Sequence, residues 1–118
     1  MNEMTWLLVG DGGRARVFQM PGLTLDLQEM EDLVNDEYSG TVLTEKDREK
    51  FAKRVSSYLE QGRLHQLYHR LRLAVEPKFL GMVRANLSEE TRRLIFEQAS
   101  EDLSTLNTRE IQAHLQRR

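Results

Sequence analysis

From Arg14 to Gln28 apolar positions recur mostly at every second residue, and over 44–62 mostly at every third or fourth. Trp6 to Gly10 is a short apolar run closed by Asp11-Gly12-Gly13, a turn signal. From Arg14 the period is two, with Ala15, Val17 and Gln19 on one face and Arg14, Arg16 and Phe18 on the other. A strand, a glycine turn and a returning strand make a hairpin. Pro21-Gly22 supplies a second turn, proline presetting φ and glycine accepting φ > 0. Leu23, Leu25 and Leu27 then alternate with Thr24, Asp26 and Gln28. The pattern predicts an antiparallel meander of strands at 5–10, 14–19 and 23–29, with the three leucines facing a core.

Residues 31–43 are polar and acidic and read as an irregular loop. Thr44 suits a helix N-cap, with Asp47 three residues on to close the first turn. Phe51, Val55, Tyr58 and Leu59 follow at helical spacing, and Gly62 reads as the stop. Leu71, Leu73 and Val75 alternate with Arg72 and Ala74, which predicts a fourth strand. Pro77 fits the first position of a second helix carrying Phe79, Leu80, Val83 and Leu87. The segment 93–100 reads two ways: Ile95, Ala99 and Leu103 fit a helix, whereas Leu94 and Phe96 against Ile95 and Glu97 fit a strand. Periodicity alone slightly favours the helix. Asn107 and Glu110 form a capping-box pair for a last helix, with Leu106 placed to staple against Ile111. With 93–100 as a strand the order is β-β-β-α-β-α-β-α. That is a mixed five-stranded α/β sheet with helices on both faces, the element order of ribonuclease H-like and translation-machinery folds.

A length of 118 residues fits one domain over 1–118. The absence of cysteine removes disulfides, thiolate metal sites and a cysteine nucleophile. No apolar run approaches the roughly 18 residues that cross a bilayer, and the N-terminus lacks signal-peptide features, so a cytoplasmic protein without a membrane partner is expected. Charge is divided unevenly: residues 1–50 hold 11 acidic and 5 basic side chains, and residues 51–118 hold 8 and 12. The second half therefore has the means for a basic face, through Arg63, Arg70, Arg72, Arg84, Arg92 and Arg93, beside the plainer reading of a solvated surface of mixed sign.

The glycine pair lies between two strands, whereas a dinucleotide fingerprint needs a strand followed by a helix. Arg14 and Arg16 share a strand face, which suits paired phosphate contacts or pairing with Asp26. Asp11 ends the first strand and Glu76 the fourth, neighbours in a ribonuclease H-like sheet. With Glu45, Asp47 or Glu49 as a third carboxylate they make an alternative metal site of the two-metal nuclease kind. The same two residues also suit caps, Asp11 for the glycine turn and Glu76 for the helix beginning at Pro77. His65 and His69, four apart, have a metal-recruiting spacing, but it falls in a helix-to-strand transition with no third ligand nearby, so these two and His114 read as surface residues. Ser56-Ser57 falls in an amphipathic helix with no triad context.

Four stretches resemble the bacterial host-attachment protein family: WLLVGDGGRARVFQ, FAKRVSSYLE, EPKFLGMVR and EDLSTLNTREIQAHL. That family is related to the central domain of archaeal and eukaryotic peptide-release factors. The resemblance implies that the segment before Glu101 is a strand, and it matches Arg84 to the arginine closing the family's LGxxR-like stretch. The loop NDEYSGTVLTE is shorter than is usual for the family, and it carries only Gly40 where release factors hold the Gly-Gly-Gln hydrolytic trigger. The expectation is a non-enzymatic interaction domain, without a cofactor, that binds ribosome, RNA or a protein partner through Arg14, Arg16 and Arg84. The alternatives are a divergent metal-dependent nuclease using Asp11 and Glu76, and a structural dimeric protein-binding module.

Overall fold

The computed structural model describes residues 3–21, 26–36 and 42–116. At its centre β1 (Met4–Gly10) lies parallel to β4 (Arg70–Val75) and antiparallel to β2 (Arg14–Pro21). β3 (Gln28–Val34) extends the sheet beyond β2, and β5 (Ile95–Ala99) extends it in parallel beyond β4, giving the order β3-β2-β1-β4-β5. The helices are α1 (Glu45–Leu64), α2 (Pro77–Ala85), α3 (Glu89–Arg92) and α4 (Thr108–Gln116). The mixed five-stranded α/β sheet expected from the sequence is the one observed, with α3 added.

Strand alternation divides the interior into two cores. Trp6, Leu8, Ala15, Val17, Leu71, Leu73 and Val75 face α1 and α2, meeting Phe51, Val55, Leu59, Phe79 and Val83. Leu7, Val9, Phe18, Met20 and Ala74 face the other way, where Ile111 and Leu115 of α4 and Leu103 cover them. Thr44 and Asp47 close the start of α1 as a reciprocal capping box. Pro77 opens α2, and Asn107 and Glu110 exchange backbone and side-chain bonds at the head of α4. Ser88 caps α3, which the periodicity did not anticipate in so short a segment.

Two sequence expectations are corrected. The third strand runs over Gln28–Val34 rather than 23–29, so residues 31–34 are strand and not loop. Leu23 and Leu25 lie outside the described residues, while Leu27 is buried just before β3. As an edge strand β3 is held by cross-strand charge: Glu29 and Asp32 pair with Arg16 and Arg14. It therefore needs little apolar alternation. Gly62 does not stop α1, which continues to Leu64. It lies beneath Trp6, whose ring stacks with Tyr58 and Tyr68.

Candidate functional site

The carboxyl ends of β1 and β4 open into a cleft of about 740 Å³, lined among others by Asp11, Gly12, Arg14, Arg48, Glu76 and Asp102. The parallel pairing of β1 and β4 brings Asp11 and Glu76 to the same edge, and Glu76 N–H donates to Gly10 O at 3.0 Å. Both carboxylates serve local backbone. Asp11 Oδ1 accepts from Gly13 N at 2.8 Å and Arg14 N at 2.9 Å. The two Glu76 oxygens accept from Lys78 N at 2.9 Å and Phe79 N at 3.0 Å.

The third carboxylate at the cleft is Asp102, from the connection between β5 and α4, and not Glu45, Asp47 or Glu49. Its Oδ1 accepts from the Ser104 amide and hydroxyl. Among the described residues no three His, Asp or Glu side chains converge to hold a metal ion. Burial, joined by the charge and hydrogen bond of Asp102, holds the Asp11 carboxyl above its ordinary value, against the pull of the Gly13 and Arg14 amides. A carboxyl raised in the fold contributes stability at low pH that is lost as pH rises through the folded value. Asp11→Asn retains the Oδ1 acceptor and removes the charge. It is therefore expected to be more stable than the parent at neutral pH, with the difference vanishing below 3.8, the ordinary aspartate value. Urea unfolding of both proteins across the acidic range reads this directly.

The arginines on β2 are structural neighbours of the cleft. Arg14 donates to both Asp32 oxygens, at 2.8 and 2.6 Å, and Asp32 is in turn held below the usual carboxylate range by that bond. Arg16 is only 5% exposed. It donates to both Glu29 oxygens at 2.8 Å, to Ser104 O at 3.2 Å and also to Leu106 O. Neither pairs with Asp26: β3 brings Glu29 and Asp32 opposite them instead. Arg84 meets Gln98 of β5. The histidines lie apart, with His65 on Gln61 O, His69 accepting from Met4 N and His114 against Glu101. Ser56 is buried and donates to Val83 O.

A second, shallower recess of about 250 Å³ lies along β5, lined by Arg84, Arg92, Ile95, Phe96, Glu97 and Gln98. Phe96 is 42% exposed, and the Arg70 guanidinium stands 5.9 Å from its ring centre. Sequence reading singled out Arg84 here and placed Arg92 only in a general basic face, and it gave Phe96 no role beyond strand patterning. Their one signal was an aromatic within an arginine-rich segment.

Residues 38–115 match the model of a family described as proteins required for attachment to host cells. The chain belongs to that family. No curated protein matches this host-attachment family member. Among solved structures it is similar in fold to an archaeal translation termination factor, aRF1, with 13% identity and a TM-score of 0.59 over 97% of this chain and 37% of that one. An archaeal protein gives 16% identity and 0.59 over 94% and 34%. Dom34 of S. cerevisiae, a translation termination-like factor involved in RNA quality control, gives 16% and 0.52 over 86% and 30%. The chain thus spans about a third of each of these proteins. No helix among the described residues is long and apolar enough to cross a membrane.

Proposed function

We propose that this host-attachment family member is a non-enzymatic binding module that engages RNA, free or within the ribosome, through the recess along β5. The observation that carries this reading is the placement of Arg84 and Arg92 around the exposed ring of Phe96. Guanidiniums neutralise phosphate, and an exposed aromatic ring offers a face on which a base stacks. The likeness in fold to translation termination factors supports the same partner class. Arg14 and Arg16 are left out of the surface, because Asp32 and Glu29 already engage their guanidiniums.

Titration of a labelled single-stranded RNA at low salt tests this. Affinity is expected to fall with salt at a log–log slope of roughly −0.7 per phosphate contacted. Arg84→Ala and Arg92→Ala should each make that slope shallower by about 0.7. Phe96→Ala should weaken binding by about 1–3 kcal/mol with the slope unchanged, since stacking releases no counterions. A fall in melting temperature for Arg84→Ala with unchanged affinity would make its bond to Gln98 purely structural. Absence of binding at low salt would discard RNA and leave a protein partner. Steady RNA or peptidyl-tRNA turnover in Mg²⁺, abolished by Asp11→Asn or Glu76→Gln, would replace the binding module with a nuclease or hydrolase.

A further inference from the structure

The cleft at the ends of β1 and β4 contains two groups that RNA binding along β5 leaves unused. Arg48, the fourth residue of α1, lines this cleft. Its guanidinium has no hydrogen-bond or ion-pair partner among the described residues, whereas Arg14 beside it is engaged by Asp32. The stem of Arg48 lies across Gly12, where an added Cβ would stand 2.8 Å from Arg48 Cγ and 2.9 Å from Cδ. Gly12 is itself buried. The amides of Asp11, Gly13 and Arg14 all donate to oxygens of the turn, while the Gly12 N–H donates to none among the described residues. Both residues line the cleft, so an amide and a guanidinium without protein acceptors stand side by side as donors open to an anion.

The nearby carboxylates hold one another and the backbone: Asp11 Oδ1 and Glu76 accept from backbone amides, Asp102 Oδ1 accepts from Ser104, and burial, joined by Asp102, raises the Asp11 carboxyl toward its neutral form. The lining also includes apolar side chains: Val34 and Val42, 49% and 89% exposed, and Leu43. A volume of about 740 Å³ is in the range of small-molecule sites. From this juxtaposition we propose that the cleft binds a small phosphate ester. Arg48 and the Gly12 N–H hold the phosphate, and Val34 and Val42 face the organic part. A guanidinium fork matches two phosphate oxygens at once, which an ammonium does not.

Calorimetric titration of the intact chain with ADP, pyrophosphate and orthophosphate tests the site independently of RNA binding. ADP is expected to bind more tightly than pyrophosphate. Arg48→Gln should weaken ADP by roughly tenfold or more, as loss of a charged hydrogen bond does. Arg48→Lys should recover part of that loss, and Gly12→Ala should weaken ADP because its Cβ displaces the Arg48 stem. Arg92→Ala, on the β5 recess, should leave ADP binding unchanged. Circular dichroism confirms that each variant is folded. No heat with any of the three at millimolar concentration would overturn the proposal, as would equal affinity for pyrophosphate and ADP, or ADP binding by Arg48→Gln equal to the parent. Displacement of ADP by single-stranded RNA, with RNA affinity itself lost in Arg48→Gln, would overturn it by assigning Arg48 to an RNA backbone.

Discussion

Gly62→Ala is expected to lower stability by about 2 kcal/mol, and Gly81→Ala to raise it by up to about 1 kcal/mol. Both glycines lie inside helices, Gly62 in α1 and Gly81 in α2, so alanine gains the same intrinsic propensity at each. The difference is what a Cβ meets. At Gly81 it meets nothing within 4 Å, whereas at Gly62 it would stand 2.5 Å from Trp6 Cη2 and Cζ3 and 3.0 Å from Tyr68 Cε1. Trp6 has no room to retreat. Its ring stacks with Tyr68 at 4.5 Å and Tyr58 at 5.5 Å between centroids, and the Tyr68 hydroxyl is tied to Leu59 O at 2.7 Å. Relief therefore requires α1 to lift from the sheet. Thermal melts should show a fall of roughly 10 °C for Gly62→Ala together with a changed near-ultraviolet tryptophan signal. Equal upward shifts for both variants would mean that the Trp6 ring slides freely and does not set the helix–sheet distance.

The same glycine shows where sequence reading ends. A glycine after an amphipathic run looks like a helix stop, and nothing local distinguishes a C-cap from a place where a helix must approach a ring. The ring in question, Trp6, lies 56 positions earlier in the chain. β2 was legible because Ala15 and Val17 point into one core and Phe18 into the other, so its period of two is imposed by burial. β3 was misplaced because its order comes from ion pairs with β2, and charged alternation in an acidic segment resembles a loop. Asp11 and Glu76 were found together because their strands are neighbours in the expected sheet. Asp102 was missed: it reaches the cleft from the β5–α4 connection, and only the folded path of that connection places it there.

Arg16 is the second residue whose removal is expected to be costly, and the reason bears on the functional reading. An exposed arginine is available to a ligand; a buried one with its donors engaged serves the fold. The Arg16 guanidinium binds both Glu29 oxygens, and it also reaches Ser104 O and Leu106 O across the β5–α4 connection. Its carbon lies 5.1 Å from the Phe18 ring centre. One side chain thus ties the edge strand β3 and the approach to α4 to the same point on β2. Arg16→Ala would leave the Glu29 carboxylate and Leu106 O without this donor, and Ser104 O with only the longer bond from Arg14. Losing the charged hydrogen bonds of one buried arginine costs about 2 kcal/mol or more, or roughly 10 °C in a domain of this size. Arg14→Ala, which breaks a pair 43% and 40% exposed, should cost under about 1 kcal/mol. The double variant Arg16→Met with Glu29→Met should be more stable than the two single losses summed, because neither charge is left alone. Hydrogen exchange locates the damage. In Arg16→Ala protection should fall first across Leu103 to Leu115, where α4 covers Leu7, Val9 and Phe18, while β1 and β4 keep theirs. An Arg16→Ala protein that melts like the parent would remove this clamp and return Arg16 to the list of residues free to meet RNA.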